Sequence, residues 1–212
     1  MKTIFALGLA CLLASCGSKP VQPEWRSNAS SALTAHSQAY LKGHSAGAQA
    51  EFTRARTELA STGRPDLAAH AELYRCATRL AALEMEECPG FVQLAQDATA
   101  QERAYADYLA GRWQGLDAAL LPEQHRSIVT GKVALVAISD PLSQLVAAGA
   151  LMRVGRITPA DIGAATATAS AQGWRRPLLA WLGVSHQRAV SAGDSAEAAR
   201  IQRRIDLAGG MK

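Results

Sequence analysis

From Trp25 onward, apolar positions recur three and four residues apart between punctuating glycines and prolines, which predicts helices throughout. Pro65, Pro122, Pro141, Pro159 and Pro177 stand where proline occupies a first helical turn without removing a needed hydrogen bond. Two capping boxes are legible, Thr158 with Asp161 and Asp194 with Glu197. Gly43, Gly63, Gly111, Gly155, Gly173 and Gly193 supply the left-handed residue that ends a helix. These signals predict helices over 26–42, 46–62, 66–83, 90–98, 101–110, 113–121, 123–138, 141–154, 159–172, 177–191 and 195–207. The run from Val133 to Ile138 also reads as a buried strand. No second strand candidate exists to pair with it, so it is assigned to helix.

The first residues follow another pattern. Met1 and Lys2 precede a ten-residue apolar stretch, Ile4 to Leu13, half the length of a membrane span and suited to a secretory signal. It ends in Leu13-Ala14-Ser15-Cys16, which resembles the lipobox of bacterial lipoproteins. The resemblance implies cleavage after residue 15 and acylation of Cys16. An ordinary signal with an incidental cysteine is the alternative. Residues 16–24, with Pro20 and Pro23, read as a flexible tether, leaving 25–212 as the folded domain. Gly17 stands where such lipoproteins carry aspartate for inner-membrane retention, so the resemblance implies an outer-membrane anchor facing the periplasm.

Composition agrees with helix. Alanine is about a fifth of the 212 residues, and aromatics are 5%. The formal charge of +4 comes without a lysine or arginine run, so no nucleic-acid partner is indicated.

Three of the four tyrosines, Tyr40, Tyr74 and Tyr108, are spaced 34 residues apart, and Tyr40-Leu41-Lys42-Gly43 matches Tyr108-Leu109-Ala110-Gly111. Ala48, Phe52 and Ala55 give a small, large, small series after the first of these turns, and Trp113 follows the other. In period and spacing the chain resembles the tetratricopeptide repeat. The resemblance implies an all-α, right-handed array of stacked antiparallel hairpins over 26–121 and 141–207, with an irregular insert between. An alanine-rich bundle with evenly spaced tyrosines is the alternative. By family position, Tyr40, Tyr74 and Tyr108 would line a groove for a partner segment; inter-helix packing is the other reading of the same residues.

Candidate chemistry is sparse. Gly43-His44-Ser45-Ala46-Gly47 fits the esterase elbow G-x-S-x-G, but a polar helical stretch precedes it where a buried strand is required. His36, His44, His70, His125 and His186 form no metal-ligand spacing, and no cofactor motif is present. If Cys11 leaves with the signal and Cys16 is acylated, Cys76 and Cys88 remain. On one helix they would lie about 18 Å apart. Residues 83–87, ahead of Pro89-Gly90, are able to fold back and bring them into a disulfide, the alternative being two buried thiols. The sequence thus points to a lipid-anchored scaffold that binds an envelope protein or peptide without catalysis. A periplasmic carrier or chaperone holding an apolar ligand or segment between helices is the second reading.

Overall fold

The computed structural model describes residues 23–131 and 134–210. Cys16 and the proposed signal lie outside them. The described chain is all-α, an array of helical hairpins without strands. Helix α1 (Glu24–Lys42) and α2 (Ser45–Ala60) form the first hairpin. Ala29, Ala32, His36 and Leu41 of α1 are buried together with Ala48, Phe52, Ala55 and Leu59 of α2, the small residues letting the helices approach. Helix α3 (Pro65–Leu80) follows, then the short α4 (Pro89–Val92) and α5 (Ala100–Leu109). After α6 (Glu123–Thr130) come α7 (Pro141–Arg153), α8 (Pro159–Ala171), α9 (Arg175–Ser191) and α10 (Ser195–Gly209).

The matching Tyr-Leu-x-Gly segments build matching turns. Gly43 (φ 94°) donates its N–H to the Tyr40 carbonyl while His44 donates to Ala39; Gly111 (φ 76°) donates to Tyr108 while Arg112 donates to Asp107. The same pair of bonds recurs after α7, α8 and α9. Tyr74 has no such turn, because α3 runs on to Leu80. The 34-residue spacing therefore marks equivalent places for Tyr40 and Tyr108 alone.

Three predicted helices are corrected. Residues 90–98 are helical only from Pro89 to Val92 and continue as turns. Residues 113–121 are mostly loop, interrupted by Gly115 at φ 74°, with one 3₁₀ turn at Ala118–Leu120. Residues 123–138 stop being α-helical at Gly131 (φ 68°), and a 3₁₀ turn at Leu135–Ala137 takes the place of both the predicted helix and the strand alternative. The predicted fold-back of 83–87 is present: α3 ends at Leu80, Leu83 turns at φ 61°, and the extended chain returns Cys88 to disulfide distance from Cys76, with Cα atoms 5.6 Å apart.

Helix α7 runs through the main core, with Gln144 its one buried polar side chain. Residues 144 to 151 are buried without a break. It crosses so close to the end of α3 that a Cβ on Gly149 would lie 2.5 Å from the Leu80 carbonyl oxygen.

In an ideal solenoid each repeat touches only its neighbours. Here the C-terminal part returns to the start. Trp174 Nε1 donates to Gln38 Oε1 (3.1 Å) and Arg176 Nε to the Tyr40 carbonyl (2.8 Å). The fully buried Trp181 donates from Nε1 to the Ala81 carbonyl at 3.2 Å. The array is closed upon itself.

Candidate functional site

Closure leaves a cavity of about 770 Å³ among α1, α3, α5, α6, the start of α7 and Trp174. Its volume lies within the usual range of small-ligand sites. Leu73, Ala77, Leu121, Leu142 and Val146 give it an apolar base, and polar groups reach it from elements far apart in sequence. Tyr74 comes from mid-α3 and donates its hydroxyl to Ser37 Oγ at 3.0 Å. Tyr105 comes from α5, whose N-terminus is fixed by a reciprocal box between Thr99 and Glu102. Asp140 caps α7 by accepting the Ser143 N–H at 2.7 Å.

His125 is 1% exposed and touches the cavity from α6. Burial drives its pKa down to about 4 against a weaker opposing effect of Asp140, so the ring is neutral at pH 7. Its Nδ1 lies 3.2 Å from the buried Tyr108 hydroxyl. A phenol donating to Nδ1 leaves the imidazole proton on Nε2, for which no partner exists among the described residues. Burial also raises the phenol of Tyr105 and that of Tyr74 above the usual tyrosine range, so both remain neutral donors.

Of the three tyrosines assigned to a groove, the structure brings only Tyr74 to the cavity. Tyr108 is a correction: at 0% exposure it is sealed between Tyr105, Trp113 and His125, because the turn at Gly111 folds Trp113 over it, with Trp113 Nε1 donating to the Tyr108 carbonyl at 2.9 Å. Tyr40 is also corrected. It lies outside the cavity lining, its ring covered by the Arg176 guanidinium at 4.2 Å and its phenol raised by burial and by Glu84 nearby. Cys76 and Cys88 do not line the cavity; they hold the end of α3 to the loop before α4.

Sequence reasoning did not single out Tyr105, Asp140 or Trp174 as site residues, and His125 stood only among scattered histidines. A Thr-x-x-Glu signal at residues 99–102 was available for the start of α5. Nothing in the sequence marked residues 105, 125, 140 and 174 as neighbours.

The esterase-like segment is a helix-to-helix turn. Gly43 closes α1, Ser45 begins α2, and Ser45 Oγ lies 2.7 Å from the Arg176 guanidinium. The strand that an esterase elbow requires is not there. Among the described residues, no three metal-ligating side chains lie close enough to hold a metal, and no helix is long and apolar enough to cross a membrane. No family model, curated protein or solved structure matches the chain.

Proposed function

We propose that this protein is an envelope lipoprotein, held at the outer membrane through an acylated Cys16 and facing the periplasm, that captures a segment of a partner polypeptide in its central cavity. It works by binding and not by catalysis. The observation that carries this reading is the composition of the cavity. An apolar base shares one space with the polar residues Tyr74, Tyr105 and His125 and with Glu102 and Asp140, whose carboxylates also cap α5 and α7. A polypeptide offers both apolar side chains and backbone polar groups to such a lining. That mixture, in a cavity open to solvent, supports a partner segment over the wholly apolar ligand of a carrier.

The address and the capture are tested separately. Labelled palmitate should enter the wild-type chain and not Cys16→Ser; equal labelling removes the membrane address. Photo-crosslinking amino acids at Leu142 and Gln172 on the cavity, and at Leu207 on the distant α10, should give polypeptide adducts in intact cells from the first two positions only. Adducts from Leu207 alone, or none from any position, would overturn the capture reading.

A further inference from the structure

The chain between α3 and α4 carries Glu84, Glu86 and Glu87, and each carboxylate is held by an arginine. Glu84 lies 3.0 Å from Arg79 on α3 and 3.4 Å from Arg176 in the first turn of α9. Glu86 lies 2.9 Å from Arg79. Glu87 lies 3.0 Å from Arg153, the last residue of α7, and 3.6 Å from Arg112. Arg153 also donates to the Glu86 carbonyl at 3.3 Å. Among the described residues, the two ion pairs farthest apart in sequence, at separations of 66 and 92, both belong to this segment.

The contacts that close the array meet the same segment. Trp181 donates to the carbonyl of Ala81, where the segment begins. The Arg176 guanidinium, besides its pair with Glu84, donates to the Tyr40 carbonyl near the end of α1 and to Ser45 Oγ at the start of α2. Two positions earlier, Trp174 bonds Gln38 and walls the cavity. The segment itself has little structure of its own. Leu83 turns at φ 61°, and among the described residues no backbone N–H from Met85 to Cys88 donates to a backbone carbonyl. A stretch so short of backbone bonds opens at low cost unless something else fastens it. The Cys76–Cys88 bond fastens its far end to α3, next to the place where Gly90 lies too close to the buried Glu72 carboxyl for any Cβ to fit.

The two sulfurs differ in access. Cys76 belongs to the main core at 5% exposure, whereas Cys88 is half-buried between the exposed Glu87 and Pro89. We propose that the Cys76–Cys88 bond is a redox latch: a dithiol that reduces it frees residues 81–90, loosens the hold of Glu84 and Glu87 on α9 and α7, and lets the Trp174 wall of the cavity open. A thiolate of the dithiol attacks the Cys88 sulfur, the bond to Cys76 breaks, and the Cys76 sulfur takes the electron pair and a proton. The second thiol of the reductant then displaces Cys88, leaving two protein thiols and an oxidised dithiol.

The experiment uses the full chain, purified without reductant in an uncharged detergent. Alkylation and peptide mass mapping should find Cys76 and Cys88 joined, and dithiothreitol should reduce them without denaturant. The indole protons of Trp174, Trp181 and Trp113 then report separately by NMR. On reduction those of Trp174 and Trp181 should exchange with water about tenfold faster, because both bond across the closure. That of Trp113, bonded within its own turn to the Tyr108 carbonyl, should stay as it was. Cys76→Ser with Cys88→Ser should match the reduced protein and ignore dithiothreitol. Glu84→Gln, with the bond intact, should speed Trp174 about threefold, the scale of one partly exposed ion pair.

Free thiols at residues 76 and 88, or a bond that yields only after denaturant is added, overturns the latch. Equal acceleration of all three indoles also overturns it, by showing a general loss of stability, and so does no change in any of them. If the double serine variant fails to fold, reduction of the wild-type chain decides alone. The latch does not depend on what the cavity holds. Cavity adducts in cells together with a bond that resists dithiothreitol would remove the latch and leave the capture reading; a Trp174 freed by reduction without cavity adducts would do the reverse.

Discussion

In the terminal hairpin, α9 and α10 meet along Leu182, Ala189, Ala198 and Ile201, a small cluster separate from the main core. Between Ala81 and Asp140 the α-helices have only 4, 10 and 8 residues, yet this stretch contributes Phe91, Tyr108, Leu121, Ile128 and Leu135 to the main core. The hairpin satisfies most of its backbone within its own helices, with Arg175 bonding the last carbonyl of α10 at Gly209. The irregular stretch leaves carbonyls exposed, and long side chains bond them: Arg126 to Leu121, Gln144 to Leu135, Arg156 to Val129, and Arg153 to both Glu86 and Leu109. Regular spacing of small residues thus builds the hairpin, whereas the middle depends on particular side chains from distant helices. The middle also supplies about half of the polar cavity wall.

The sharpest way to break this contrast is Tyr108→Ala. Removing a fully buried ring from the middle should cost about 3–5 kcal/mol, read from urea unfolding followed by circular dichroism. A loss near that of a surface substitution would show that the middle does not depend on its aromatic packing.

Next in size is the response to acid. The folded pKa of His125 is near 4, below its ordinary 6.5, so the unfolded chain binds more protons between these values. The contribution of His125 is complete above about pH 6.5 and is lost as pH falls toward 4, amounting to roughly 3 kcal/mol over that window. His36 is buried and shifted in the same direction, in the first hairpin. Unfolding free energies measured from pH 7 to 4 for wild type and His125→Gln should therefore differ most in their slope, with the variant flatter. Parallel curves would contradict the assignment of a neutral buried imidazole.

Gly149→Ala probes the crossing of α7 over the end of α3, the two helices that flank the irregular stretch. The added methyl would press on the Leu80 carbonyl, and a cost of about 1–3 kcal/mol is expected from thermal unfolding. Asp194→Ala should have the smallest effect. It removes the acceptor for the Glu197 N–H and should cost about 1 kcal/mol. Hydrogen exchange should place that loss in α10 alone, leaving amides of α5 and α6 protected as before.

Much of the hairpin architecture could be read from the sequence because its causes are local. The Ala48, Phe52 and Ala55 spacing, the glycine turns and the Thr158–Asp161 box all act within a few residues. The Asp194 box is half formed: Asp194 accepts from Glu197, while the Glu197 carboxylate turns to Arg200. The middle was misread because apolar residues at helical spacing around Leu116 and Leu120 look the same when Gly115 has turned the chain. Tyr108 was assigned to a groove by its place in a period, but its exposure is decided by Trp113 and His125. The cavity was illegible for the same reason: Tyr74, Tyr105, His125 and Asp140 converge only through tertiary packing.

Trp174 meets Gln38, and Arg176 meets Tyr40, at a sequence separation of 136 in each case. Contacts of such sequence separation form late, since a long loop must close before they are made. A chain whose last third is still absent holds its first hairpins without the Trp174 wall. The cavity is therefore complete only once the last third of the polypeptide is in place.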